Sequence, residues 1–259
     1  MNDAWRPMPH PTPTGWRAIK GHVWPCARLA IRSGTIWLAV IGLVALILIS
    51  ALLLLFRTVN PPASALMVTQ RLSGVEIDNR WVPLTRVSPH VVRAVILSED
   101  NKFCDHWGID VGEMRAALDK AEREGADALR GASTISQQVT KNLLLWPSRS
   151  PVRKLLEIAI TIPLELIWSK ARIMEVYLNI AEWGPGIFGI EAASLYHFNK
   201  AASRLTQREA ALLAVSLPNP FERVAGAPGA GTQKLATTIE RRLAASNSGR
   251  FTCVLGNRG

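Results

Sequence analysis

From Thr35 to Phe56 the chain runs for 22 residues without a charged side chain, in a stretch rich in Ile, Leu, Val and Ala. As a helix rising 1.5 Å per residue it reaches about 33 Å, enough to cross a hydrocarbon core of about 30 Å. Only Thr35 and Ser50 bring polar side chains into the run, and 203 residues of ordinary composition follow it. The run also exceeds the 7–15 apolar residues typical of a cleavable signal core. It reads as an uncleaved membrane anchor. The flanks set its direction: Arg6, Arg17, Lys20, Arg28 and Arg32 precede Gly34 against the single acid Asp3. Basic residues beside a first span favour the cytoplasmic side, which places everything from Arg57 onward outside.

The expected organisation is a cytoplasmic tail at 1–33, a transmembrane helix at 34–56, a linker at 57–70, one domain at 71–245 and a C-terminal tail at 246–259. Pro7, Pro9, Pro11, Pro13 and Gly15 give the first tail little reason to fold. In the outer part, apolar residues recur near a period of 3.6 over Val91–Leu97, Ile109–Glu124, Thr134–Leu145, Val152–Trp168, Ala171–Ala181, Gly189–His197 and Thr206–Ser216. Thr206 followed by Glu209 is a capping box. Strand alternation is confined to Val75–Leu84, which would suit a short hairpin. The fold class is mainly α, without an internal repeat. Pro163 should either kink its helix or end it early. Cys104 and Cys253 could pair in an oxidising space, but two cysteines so far apart are no disulfide scaffold.

The charge is uneven. Between Arg130 and Arg172 there are seven basic residues and two acids, a net of +5, so one segment holds most of the outer part's excess. Nucleic acid is one polyanion such a segment could meet. Beside a bilayer and outside the cytoplasm, a phosphorylated lipid or the membrane surface fits better.

Two strings carry the chemistry. In SEDNKFCDHWG, Glu99 and Asp100 are neighbours and cannot point the same way on a helix; a carboxylate near Phe103 and Trp107 is a candidate general base. In GASTISQQVTKN, the small residues Gly131, Ala132, Ser133 and Thr134 lead into a helix. There Gln137 shares a face with Lys141, and Gln138 with Asn142, offering amide and ammonium donors to sugar or phosphate oxygens. Arg149, Arg153, Lys154 and Glu157 follow. Arg153 and Glu157 are either an i,i+4 helix salt bridge or part of a cationic cradle for a diphosphate. Tyr177 and Tyr196 read as core. No His-Glu-x-x-His zinc pattern and no Ser-x-x-Lys occurs in the chain.

These strings resemble, in order, the signatures of the family 51 peptidoglycan glycosyltransferases. Glu99–Gly108 is similar to the first, GASTISQQVTKN to the second, RKLLE at Arg153–Glu157 to the third, YLNIAEWGPGIFGIEAA from Tyr177 to the fourth, and LTQREAALLAVSLPNP to the closing segment. The resemblance spans roughly Leu66 to Leu243. It implies a lysozyme-like glycosyltransferase domain with a larger head and a small hydrophobic jaw around Val111–Arg130 near the bilayer. It also implies lipid II as substrate, a growing glycan strand as donor, location in the bacterial inner membrane, and divisome or elongasome proteins as candidate partners. By the same resemblance Glu99 is the base. Lys141, Arg149 and Arg153 meet the departing diphosphate, and Glu157 supports them or places a divalent metal, Mg2+ or Mn2+. Asp100, Ser133, Thr134, Gln137, Gln138, Asn142 and Lys154 bind substrate. No organic cofactor is implied. The rival readings are a lytic transglycosylase or muramidase, which would need a protonated acid and no cationic cradle, and a non-catalytic cell-wall scaffold.

Overall fold

The structure, a computed structural model, describes residues 17–125, 133–148 and 150–256. The chain divides after Ala51 into two units. The first holds most of α1 (Arg17–Phe56), whose stretch Ala39–Phe56 has a mean hydropathy of 3.1 and is long and apolar enough to cross a membrane. The helix begins well before the expected span, so the second half of the expected tail is helical.

The second unit opens with the last turn of α1. Leu53 is fully buried there and its carbonyl accepts the Trp168 indole N–H at 2.6 Å. The Arg172 guanidinium donates to the carbonyls of Phe56 and Val59 and to Asn60 Oδ1. A cation at a helix C-terminus satisfies carbonyls that have no partner within the helix. The expected linker is likewise partly helical. Ser64 caps α2 (Ala65–Leu72) by accepting from the Met67 N–H, and Met67 is buried.

The core has two centres. In one, α3 (Pro89–Glu99) packs against α9 (Gln207–Ser216) and α10 (Ala230–Ala245). Ala210, Ala211 and Ala214 let α9 approach closely, and Val91, Val92, Val95 and Ile96 fill the contact. The Thr206–Glu209 capping box starts α9 as expected. In the other, α5 (Ile135–Leu144) packs on α6 (Pro151–Ile167) and α7 (Lys170–Ile180). Between them α4 (Val111–Glu124), the described part of the expected jaw, buries none of its side chains.

Three findings correct the sequence expectations. Val75–Leu84 forms no hairpin. Its two-residue strand β1 (Asp78–Asn79) pairs parallel with β3 (Ile187–Phe188), which pairs antiparallel with β2 (Glu182–Gly184). Gly186 makes this possible: its φ is +71°, and a Cβ there would lie 2.3 Å from the Glu76 carbonyl oxygen. Second, of the two outcomes expected at Pro163, a kink or an early end, the early end does not occur: α6 runs on to Ile167. The proline leaves the Ala159 carbonyl without its helical donor, on an exposed part of the helix where water can serve it. Third, the expected C-terminal tail is folded. After α8 (Ile190–Phe198), α9 and α10, a short 3-10 turn leads to α11 (Thr252–Leu255); Phe251, Val254 and Leu255 are buried, and Cys253 is bonded to Cys104.

Candidate active site

Glu99 is the last residue of α3. Its Oε2 accepts from Gln138 Nε2 at 3.0 Å, and Gln138 Oε1 in turn accepts from the Tyr177 hydroxyl at 3.2 Å. Burial pushes the Glu99 carboxyl above its ordinary range, against the opposing pull of hydrogen bonds from Gln138 and Ser98 and of the Lys141 and Arg223 cations. Burial and the nearby Glu99 and Asp100 charges hold the Tyr177 phenol well above its usual pKa, so it stays a donor. The sequence reading took Tyr177 as core. It is buried, but its hydroxyl also fixes the amide that fixes the candidate base. Nothing in the local pattern reveals this, because the contact joins α7 to α5.

Asp100 turns out of the helix and is buried. Its Oδ1 and Oδ2 lie 2.9 and 3.1 Å from His106 Nε2, and Oδ2 also accepts from the Ile135 N–H at 2.9 Å. Asp100, expected to contact substrate, pins the start of α5 in this structure and also borders a polar cleft. Thr134 and Gln137 are diverted in the same way. Thr134 Oγ1 accepts from the Gln137 N–H and donates to the Gly108 carbonyl at 2.6 Å, while Gln137 Oε1 accepts from the Thr134 N–H at 3.0 Å. This is a reciprocal capping box, and it buries both side chains. The Gln137 side-chain oxygen is thus taken up by the helix cap, one turn before Lys141 on the same helix.

Lys141 and Asn142, a turn beyond Gln138, are half-buried. Burial pulls the Lys141 ammonium below its ordinary pKa; Glu157 opposes this, and Arg153 and Lys154 add to it. On α6, Ser150 accepts from the Arg153 N–H and starts the helix. Glu157 is 2% exposed and grips two cations. Arg153 NH1 donates to its Oε2 at 2.6 Å, and Lys154 Nζ to its Oε1. Lys154 Nζ also donates to Ser133 Oγ at 2.9 Å. Of the two readings of Arg153 and Glu157, the i,i+4 salt bridge is present, and with Lys154 it gathers two cations around one carboxylate. Arg153 Nε is buried and has no partner. Arg149 lies outside the described residues.

Glu165, two turns further along α6, is buried with a hydrogen bond from Ser136 and another from Lys170 Nζ at 2.8 Å. Lys170 also donates to the His106 carbonyl at 2.7 Å and lies over the Phe103 ring. These contacts tie the loop after Glu99 to α5, α6 and α7.

Two clefts open on this constellation. One of about 430 Å³ is lined by Leu66, Lys141, Asn142, Leu145, Trp146 and Arg153, a mixture of apolar surface and cations. The other, about 330 Å³, is polar and is bordered by Glu99, Asp100, Lys102, Ser133, Thr134 and Arg242. Arg242 was not singled out in the sequence; it comes from α10, outside every motif.

The chemistry of the donor set does not fit a metal held by Glu157. Both of its oxygens already face cations, Lys141 adds a third nearby charge, and among the described residues no three Asp, Glu, His or Cys side chains converge. What the arrangement can do is remove a proton at Glu99 and stabilise negative charge beside Lys141 and Arg153.

The family model described as Transglycosylase matches residues 67–243. Three similar proteins are each named biosynthetic peptidoglycan transglycosylase. That of Agrobacterium fabrum is 52% identical over 194 residues, covering 75% of this chain and 84% of its own length. That of Rhizobium meliloti is 46% identical over 233 residues, 89% of this chain and 97% of its own. That of Rhodospirillum centenum is 49% identical over 219 residues, 84% and 94%. With two thirds of its length under the family model and a mainly helical, lysozyme-like domain behind one apolar helix, this chain belongs to the transglycosylases, enzymes of glycosyl transfer.

Proposed function

We propose that the protein polymerises lipid II into linear β-1,4 glycan strands, releasing undecaprenyl diphosphate. The observation that carries this reading is the pairing of a half-buried carboxylate, Glu99, with a separate cationic wall built by Lys141, Arg153 and Lys154. Glu99 accepts the proton of the acceptor GlcNAc 4-hydroxyl. The freed oxygen attacks C1 of the donor MurNAc from the face opposite the diphosphate. The C1–O bond breaks, the α linkage becomes β, and the diphosphate leaves with the bonding pair. Lys141 and Arg153, which line the cleft, take up its charge. Glu157 keeps Arg153 and Lys154 in place, Ser133 steadies Lys154, and Gln138 aims Glu99. By the family resemblance Arg149 is assigned to the same cationic wall. A diphosphate countered by cations needs no acid to leave, unlike the alcohol leaving group of a glycoside hydrolase. The apolar part of the Lys141 cleft, with Leu66, Leu145 and Trp146, suits the start of a polyprenyl chain.

The single apolar helix and the Cys104–Cys253 bridge support a domain in an oxidising space outside the inner membrane, with the N-terminus cytoplasmic. Divisome or elongasome proteins sharing that membrane are candidate partners.

The test incubates detergent-solubilised full-length protein with labelled lipid II, with and without divalent metal, beside Glu99→Gln. Polymer that a muramidase cuts, absent from the variant, supports the polymerase and its base. Intact lipid II in every lane favours an inert scaffold, and cleavage of preformed strands favours a lytic enzyme.

A further inference from the structure

The two clefts share no lining residue. Lys141 and Arg153, which take up the diphosphate's charge, line one of them. In the other, most charges already have partners: Asp100 faces His106, and Asp110 and Glu113 both face Lys102, at 3.2 and 3.5 Å. Arg242 is different. It reaches from the last turns of α10, and its NH1 makes one long hydrogen bond, 3.4 Å, to the Leu97 carbonyl. Among the described residues no carboxylate stands within ion-pair distance of it. Leu97 is two residues before Glu99, so this guanidinium stands at the edge of the space where the base works. The charge is exposed, and the motifs that account for the rest of the site leave it without a role.

On the lipid II reading the acceptor's disaccharide carries a pentapeptide, which brings at least one carboxylate into this cleft, because every free peptide ends in one. Arginine's planar fork suits a carboxylate better than a point charge would. We propose that Arg242 is a specificity-determining contact of this cleft, taking a carboxylate of the acceptor's peptide stem while the sugar hydroxyl meets Glu99. The inference rests on the reading of the chain as a lipid II polymerase and adds to it a residue and a substrate feature. The acceptor lies with its sugar at Glu99 and its stem toward α10, in the cleft that Lys141 and Arg153 do not line.

The experiment uses the full-length protein in detergent with an excess of a short preformed lipid-linked glycan as donor. The acceptor is either lipid II or lipid II whose peptide carboxylates have been converted to amides. For the wild type, amidation should raise the acceptor KM about tenfold, the scale of one partly exposed charge-assisted contact. Arg242→Gln retains an N–H for the Leu97 carbonyl but no charge. Its KM for lipid II should rise to that of the amidated acceptor, and amidation should then make no further difference. A variant that weakens both acceptors equally has a structural fault, and that result overturns the proposal. So does a wild type that treats the two acceptors alike while elongating both. If the wild type elongates neither, the polymerase reading itself falls, and this inference with it.

Discussion

Burial disfavours the ionised form of Glu99, yet a general base must be ionised to work, so catalysis and stability pull in opposite directions at this residue. Native Glu99 keeps its proton to higher pH than the unfolded chain, whose reference value is 4.5. As pH rises above that reference the unfolded state loses its proton first, and stability falls until the native carboxyl has also ionised. Glu99→Gln should therefore lower kcat by about 10²–10⁴-fold while raising Tm at neutral pH; an unchanged or lower Tm would contradict the burial argument. The pH profile of the wild type follows from the same shifts. Activity should climb as Glu99 ionises, with the acid limb above the ordinary carboxylate range, and decline as Lys141 loses its proton, with the alkaline limb below that of a free lysine. One step removed, Tyr177 acts through Gln138. Tyr177→Phe leaves the amide without its fixed partner and should cost about 1 kcal/mol of stability and on the order of tenfold in kcat, with KM for lipid II little changed. A rise in KM with kcat intact would place the hydroxyl on the substrate instead.

At the scale of elements, the site depends on how α5 and α6 start and where they touch. The motif strings made Glu99, Gln138, Lys141, Arg153 and Glu157 legible in the sequence. They did not reveal that Asp100 and Gln137 serve the first turn of α5. Helical spacing tells which residues share a face, but not which face a capping box or a neighbouring carboxylate will occupy. Gly108 joins these elements. Its φ is +82°, and its carbonyl accepts the Thr134 hydroxyl. A Cβ there would lie 2.7 Å from Thr161 Cγ2 and 2.8 Å from Glu165 Cγ, both on the buried side of α6. Gly108→Ala combines a strained backbone with a forced shift of that helix, for a loss of about 1–3 kcal/mol. Because α6 also carries Arg153 and Glu157, activity should decline further than the loss of folded protein explains. Calorimetry and a turnover assay on the same preparation separate the two effects, and a fully active, destabilised variant would show that α6 absorbs the shift elsewhere.

For the whole molecule, the anchor was the most legible feature, since hydropathy and length need no tertiary information. The two ends of the domain were the least legible. Ser64, Arg172 and Trp168 draw the chain on either side of Phe56 into the fold, and Phe251 and Cys253 draw in the C-terminal segment. Apart from the local Ser64 cap, these contacts join residues far apart in sequence, where periodicity carries no signal. The Cys104–Cys253 bridge spans 149 residues and ties α11, which packs on α7, to the loop between Glu99 and His106. Closing so long a loop restricts the unfolded chain, and losing the bridge should cost about 2–5 kcal/mol. That corresponds to roughly 5–15 °C in Tm for a domain of this size. Both cysteines are only half-buried, so a small dithiol can reach them. Purified protein treated with dithiothreitol should melt with the same lowered Tm as Cys253→Ser, and the reductant should not lower the variant further. Activity should fall along with it, because the bridged loop also carries His106, which holds the Asp100 carboxylate at the start of α5. Equal melting curves with and without reductant would mean that the C-terminal segment is held by Phe251, Val254 and Leu255 alone.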